Sequence, residues 1–163
     1  MDAIGQLLGN NEGYAARFEH AGMGAQPRLK VAVVTCMDAR IDPARVLGLE
    51  PGDAHVIRNA GGVVTDDVIR SLSISQHHLG TEEIVLLHHT DCGMLTFTDE
   101  EFAAAREFSR GMRPPWSART FDDLDEDVRD GSRRIRDSPF IPRRDKVSGF
   151  IYEVESGRVR RVR

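Results

Sequence analysis

Val31-Ala32-Val33-Val34-Thr35-Cys36-Met37-Asp38-Ala39-Arg40 joins an apolar, β-branched run to a short polar block. The same arrangement recurs at Ile84-Val85-Leu86-Leu87, followed by His88-His89-Thr90-Asp91-Cys92-Gly93. A nearly continuous apolar run such as Leu29 to Thr35 is the pattern of a strand covered on both faces, as in a parallel sheet. In open α/β sheets ligands collect in the crevice beyond the carboxyl ends of the strands, so two polar blocks that both follow strand ends can converge there. Between them lie a short helix from Pro43 to Leu49 ending at Pro51-Gly52, a strand from Ala54 to Ile57, the turn Asn59-Ala60-Gly61-Gly62, and a helix that Thr65 caps and Gly80 stops. Asp66 and Asp67 suit the positive end of that helix, and Val68, Ile69, Leu72 and Leu79 give it an apolar stripe. Strand, helix and strand at this spacing imply right-handed parallel crossovers. The pattern predicts an α/β fold with a mostly parallel central β-sheet flanked by helices.

The remaining segments extend this frame. A weakly amphipathic helix over Asn10 to His20, with Tyr14, Ala15, Ala16 and Phe18, precedes the break at Gln26-Pro27, and residues 1–27 read as a candidate arm. Glu83 to His88 is a third strand. Thr98-Asp99-Glu100-Glu101 has the form of a capping box opening a helix through about Ser109, and Pro114-Pro115 ends any continuation. From Asp122 to Asp137 acids cluster early and arginines late around a narrow apolar face of Leu124, Val128 and Ile135, the pattern of a solvated surface helix. Lys146 to Glu155 and Arg158 to Val162 read as a C-terminal strand and hairpin return across Ser156-Gly157.

The chain has 163 residues, 40% hydrophobic and 29% charged, which fits one soluble domain over residues 1–163. A formal net charge of −4 offers no overall positive field for nucleic acid or an anionic membrane. Met1 to Leu8 carries Asp2, lacks a basic start and is interrupted by Gly5, so it reads as neither a signal peptide nor an anchor. No apolar run approaches the roughly 20 residues of a spanning helix. With two cysteines and no export signal, the natural setting is the reducing cytoplasm, where metal binding or catalysis is a better use of the pair than a disulfide.

Cys36, Cys92 and one imidazole offer a Cys2His donor set, which suits zinc and leaves a fourth tetrahedral position for water or substrate. Two buried free cysteines are the plain alternative. If the strand alternates through His88 and His89, the two rings face opposite sides and only one can join the cysteines.

Cys-x-Asp-x-Arg at 36–40, followed later by His89-x-x-Cys92-Gly93, resembles the β-class carbonic anhydrases. His55-Val56-Ile57-Arg58-Asn59-Ala60-Gly61-Gly62, Ser71-Leu72, Leu79-Gly80-Thr81 and Cys92-Gly93-Met94 are also similar to that family in order and spacing. The resemblance is strong over residues 29 to 95, looser in the C-terminal third, and the short chain is that of the compact subgroup. It implies one zinc ion held by Cys36, His89 and Cys92, with His89 chosen over His88. It further implies reversible hydration of CO2 to bicarbonate and a proton by zinc-bound hydroxide, with Asp38 and Arg40 as a dyad that orients the nucleophile. In a closed form of such sites, Asp38 itself would ligate zinc. Two thiolates donate more charge than imidazoles, so activity is expected to rise towards alkaline pH. The resemblance also implies a homodimer or higher homo-oligomer, with the N-terminal segment against a partner subunit.

Around this centre, Gly61, Gly62 and Gly93 are candidates for close backbone approach, with a plain turn role as the alternative, and Val63, Val64, Met94 and Leu95 are candidates for an apolar wall, with ordinary core packing as the alternative. His55, His77 and His78 are candidates for proton relay, each with an ordinary surface or core role as the simpler reading. The glutamine and aromatic residues of the plant-type pocket have no counterpart in this sequence that the pattern places. Two rival functions use the same residues. One is hydrolysis of carbonyl sulfide or carbon disulfide; the other is a non-catalytic zinc-binding regulatory protein, against which the Asp38-Arg40 pair argues.

Overall fold

A computed structural model describes residues 2–163. Five strands form one sheet in the order β2-β1-β3-β4-β5: β1 (Val31–Cys36), β2 (Ala54–Asn59), β3 (Glu83–His89), β4 (Val147–Tyr152) and β5 (Val159–Arg161). The first four are mutually parallel, and β5 returns antiparallel to β4. The expected α/β architecture with a C-terminal hairpin is therefore present. Because β2 lies on one side of β1 and β3 on the other, the chain reverses its direction of winding at β1, and the crevice of such a sheet opens there.

Helix α3 (Asp66–Leu79) and helix α5 (Leu124–Asp137) cover one face. Val68 and Leu72 from α3 and Ile135 from α5 pack with Ala32, Val34, Ile84 and Leu86 of the sheet, all essentially without solvent exposure. Each of the valine, leucine and isoleucine side chains contributes about 1.5–3 kcal/mol by leaving water. A Cβ at Gly149 of β4 would come within 2.4 Å of the Val128 side chain on α5, so the missing side chain sets how closely this helix approaches the sheet.

Local chemistry explains the helix boundaries. Thr65 accepts from the Val68 amide, Asp66 and Asp67 occupy the first turn of α3, and Gly80 closes it in the left-handed region at φ 74°. Thr98 and Glu101 form both bonds of the capping box that opens α4 (Asp99–Arg110). Helix α2 (Pro43–Leu47) ends two residues earlier than its pattern predicts, because Gly48 takes the left-handed conformation ahead of Pro51. The N-terminal helix is displaced further. α1 spans Ala3–Ala15 instead of residues 10–20, since the Asp2 side chain caps the Gly5 amide and starts the helix early. None of its residues is buried, and Ile4, Leu7 and Leu8 are each more than 60% exposed. Among the described residues, no helix is long and apolar enough to cross a membrane.

Candidate metal centre

Cys36 is the last residue of β1, His89 the last of β3, and Cys92 opens a 3-10 turn at Gly93–Leu95 immediately beyond β3. Their donor atoms all lie within 4.8 Å of one another, and all three residues are buried. The alternation of β3 separates its two terminal histidines as expected: His89 turns to the cysteines, and His88 turns to the α5 side. The Nδ1 proton of His89 is donated to the Thr90 carbonyl at 2.8 Å, which leaves the Nε2 lone pair facing the two sulfurs. That Nε2 is buried and has no hydrogen-bond partner. An orphaned imidazole nitrogen beside two thiols is unfavourable on its own and is the arrangement a soft divalent cation would complete.

Charge in the cluster points the same way. Hydrogen bonding from the Cys92 thiol, and after it the His89 ring, lowers the Cys36 thiol from its ordinary value and favours its thiolate. Hydrogen bonding to that thiolate and burial push Cys92 up. The second sulfur keeps its proton because two adjacent thiolates repel; a cation would relieve that repulsion and allow both to ionise. Burial works against charging His89, but the Cys36 thiolate outweighs it and raises the ring. The residues present therefore fit zinc.

Asp38 and Arg40 form the edge of this cluster. The Arg40 guanidinium donates from Nε to Asp38 Oδ1 at 3.0 Å and from Nη2 to Asp38 Oδ2 at 2.8 Å. The Arg40 amide adds a third bond to Oδ1 at 2.9 Å. These hydrogen bonds hold the carboxyl well below the ordinary carboxylate range. Asp38 Oδ2 lies 3.8 Å from His89 Nε2, so the carboxylate reaches the centre while remaining clamped by the arginine. Arg40 is in turn fixed by Asp91, through its carboxylate at 2.6 Å and its carbonyl at 2.9 Å. The sequence reading gave no role to Asp91, although its place between His89 and Cys92 was a signal. Arg58 was also passed over: it donates to the carbonyls of Cys36 and Asp38 at 3.0 and 2.8 Å and so ties down the backbone that carries both.

A cleft of about 660 Å³ opens onto the cluster, with Cys36, Asp38 and Cys92 among its lining residues. Gly61, Gly93, Met94 and Val63 also line it. Its outer wall comes from residues the sequence did not single out: Phe97, Phe102 and Trp116, whose rings follow one another at centroid distances of 5.8 and 5.9 Å.

Two of the candidate wall residues are elsewhere. Val64 lies in the core with Val68 and Leu72, because the extended chain after Gly62 sends Val63 to the cleft and Val64 to the opposite side. Leu95 faces a separate cavity beside α4. Gly62 also stays out of the cleft; a Cβ there would meet the Cys36 amide nitrogen at 2.9 Å, so it buttresses β1. None of His55, His77 and His78 lines the cleft, and His55 is engaged by Ser75 at 2.7 Å and by the Ala25 carbonyl at 3.2 Å.

Fold and cluster together define an α/β protein with a Cys2His centre at the switch point of a parallel sheet. The sequence profile described as carbonic anhydrase matches residues 31–159. Beta-carbonic anhydrase 1 of Mycobacterium tuberculosis is 51% identical over 162 residues, covering 99% of both chains. The crystal structure of carbonic anhydrase from Streptococcus mutans superposes with a TM-score of 0.94 at 45% identity, covering 100% of this chain and 99% of that one. A carbon disulfide hydrolase of Acidianus sp. is 39% identical over 155 residues, covering 79% of this chain and 75% of that protein. The chain belongs to the β-class of the carbonic anhydrase family.

Proposed function

We propose that this protein is a carbonic anhydrase that interconverts CO2 and water with bicarbonate and a proton, using zinc held by Cys36, His89 and Cys92. The observation that carries the proposal is the clustering of those three donor atoms within 4.8 Å beside a carboxylate that Arg40 has immobilised. When bound, zinc supplies the Lewis acidity that makes water a usable nucleophile near neutral pH.

The chain's own residues supply the rest. Asp38, kept ionised and fixed in place, can only accept hydrogen bonds, so it aims a hydroxyl donor beside it and directs the oxygen lone pair towards substrate. Arg40 cannot lose its charge and grips both carboxylate oxygens, which favours Asp38 as an orienting group over a fourth ligand. Val63, Met94 and the aromatic wall exclude water from one side of the cleft and suit a small uncharged substrate.

The apolar cleft would also accept carbon disulfide or carbonyl sulfide, and a relative carries the name carbon disulfide hydrolase. Stopped-flow CO2 hydration on protein of known zinc content, with sulfide release measured on the same sample, decides between them. Hydration far faster than sulfide release is the expected result; sulfide release without hydration would reverse the assignment.

We further read residues 1–163 as one catalytic domain and residues 1–27 as an arm. The exposed Ile4, Leu7 and Leu8 support packing of α1 on a second copy of the chain in a homodimer or higher assembly. The two free cysteines, both in the cluster, support a reducing compartment such as the cytoplasm.

A further inference from the structure

The loop that joins two of the metal-site donors, His89 and Cys92, carries Asp91 in the left-handed region at φ 53°. A residue with a side chain is uncommon there, and aspartate is one of the few that tolerate it. The loop is held from the side of β4. The Thr90 amide donates to the Tyr152 carbonyl at 2.9 Å, and the Val154 amide donates to the Thr90 hydroxyl at 3.0 Å. With Thr90 anchored in this way, the turn at Asp91 brings its carbonyl and its carboxylate to a single partner.

That partner is Arg40. Nη1 donates to Asp91 Oδ2 at 2.6 Å and Nη2 to the Asp91 carbonyl at 2.9 Å. Nε and Nη2 donate to the two carboxylate oxygens of Asp38 at 3.0 and 2.8 Å. The planar guanidinium is therefore gripped along two edges, one facing Asp38 and the other facing Asp91. An isolated exposed ion pair contributes little, because two flexible side chains must be held in one geometry. Asp91 differs in that one of its two acceptors is backbone, whose place the anchored loop fixes. It also joins the polar block after β1 to the block after β3, and these two blocks carry all three donors of the cluster and the dyad beside it.

We propose that Asp91 is a positioning residue for CO2 hydration: it pins the outer edge of Arg40, so that the inner edge holds Asp38 in one orientation beside the metal centre. The inference deepens the proposed function and rests on the reading of Asp38 as the group that orients the nucleophile. Asp91 does not line the cleft, and it acts through Arg40 alone. Without its carboxylate, Arg40 keeps its bonds to Asp38 but gains freedom to swing, and the Asp38 carboxylate moves with it. A misdirected orienting group slows the reaction without weakening the binding of substrate or metal.

The test compares Asp91→Gly with Asp91→Asn. Glycine takes the left-handed backbone without strain and keeps the carbonyl, so D91G removes the carboxylate alone. Asparagine also tolerates that backbone and keeps an oxygen for Nη1 to bond. The quantities measured are zinc content, kcat and KM for CO2 hydration, and solvent exchange of the Arg40 Nε proton by NMR, its signal assigned by its loss in Arg40→Lys. In D91G we expect kcat about tenfold lower, short of the roughly hundredfold cost of a misplaced reacting group, with KM little changed. Zinc content should stay at the wild-type level, and the Arg40 Nε proton should exchange about tenfold faster, because a less restrained pair opens more often. D91N should recover most of both. A kcat and a proton exchange within about twofold of wild type in D91G would overturn the proposal, leaving Asp91 an ordinary surface ion pair. Loss of zinc in step with kcat would overturn it as well, making Asp91 a support of the ligand loop instead of the dyad. Failure of the underlying reading is distinguishable: Asp38→Ala would then keep its kcat, while the Arg40 proton would still exchange faster in D91G.

Discussion

The ends of β1 and β3 and the N-terminal helix α1 stand at opposite extremes of the same chain. At the strand ends a set of polar groups hold one another: Asp38 by Arg40, Arg40 by Asp91, and the Cys36 and Asp38 carbonyls by Arg58. Along α1 no residue is buried, and three large apolar side chains face outward. The first region is built to hold one geometry and to take up a cation. The second is held by its own cap and helical bonds and lacks a surface to pack on within the protomer. The contrast sets a cluster whose residues hold one another in place against a helix whose apolar side chains stay exposed in the described protomer.

The largest expected effect is at the cluster. Cys36→Ser replaces a thiolate ligand with a neutral hydroxyl, and zinc content by metal analysis and CO2 hydration should be lost together. Zinc and turnover both retained would show that the strand-end cluster is not the metal centre. Next, Asp38→Ala should keep its zinc but lose turnover about a hundredfold, the scale of misplacing a reacting group, as read by kcat in stopped-flow. Zinc retention with unchanged kcat would make the Asp38-Arg40 pair an ordinary surface ion pair.

Arg40→Ala probes the same clamp through stability. Because Arg40 holds the Asp38 carboxyl below its ordinary value, the folded state gives up this proton more readily than the unfolded state. The stabilisation is present above the unfolded carboxylate pKa and fades as pH falls through the lower folded value. Melting temperature against pH should therefore fall less steeply on the acid side in R40A than in wild type. Parallel curves would contradict the clamp.

Asp127 gives the opposite sign. Burial raises its carboxyl to about 6, so the folded state binds the proton more tightly than the unfolded state. Its contribution is greatest below the unfolded value, near 4, and is lost as pH rises through about 6. Asp127→Asn removes that loss, and its melting temperature at neutral pH should equal or exceed that of wild type by a few degrees, with the difference shrinking towards pH 4. The smallest effect on the protomer belongs to the arm. Glutamate at Leu7 and Leu8 should leave the secondary structure by circular dichroism unchanged and shift light-scattering mass towards smaller species; an unchanged mass would remove the arm from the assembly.

How much of this could be read beforehand depended on the range of the interaction. The strands were legible because a buried parallel strand must be apolar on both faces, and the cluster because few residue types bind a soft cation. Helix caps were legible for the same local reason, whereas α1 was misplaced because its start depends on a single aspartate that also occurs in many other settings. Val63 and Val64 could not be divided between cleft and core from the sequence, because which of two successive extended residues faces the cleft depends on the geometry of the preceding turn, whose glycines have positive φ. Phe97, Phe102 and Trp116 reach the cleft from a loop and a helix whose placement no local pattern encodes. Asp127 was absorbed into a charge run read as solvated. Its position three residues after Leu124 and beside Val128, on the apolar stripe, was the signal that one of these acids turns inward.

The central claim is that the Cys36, His89 and Cys92 centre, with Asp38 fixed beside it, hydrates CO2. The most direct measurement is stopped-flow hydration at mildly alkaline pH across samples whose zinc content has been titrated from none to one per chain. A rate that rises in proportion to bound zinc and saturates with CO2 is the predicted result; negligible hydration from fully zinc-loaded protein would contradict it.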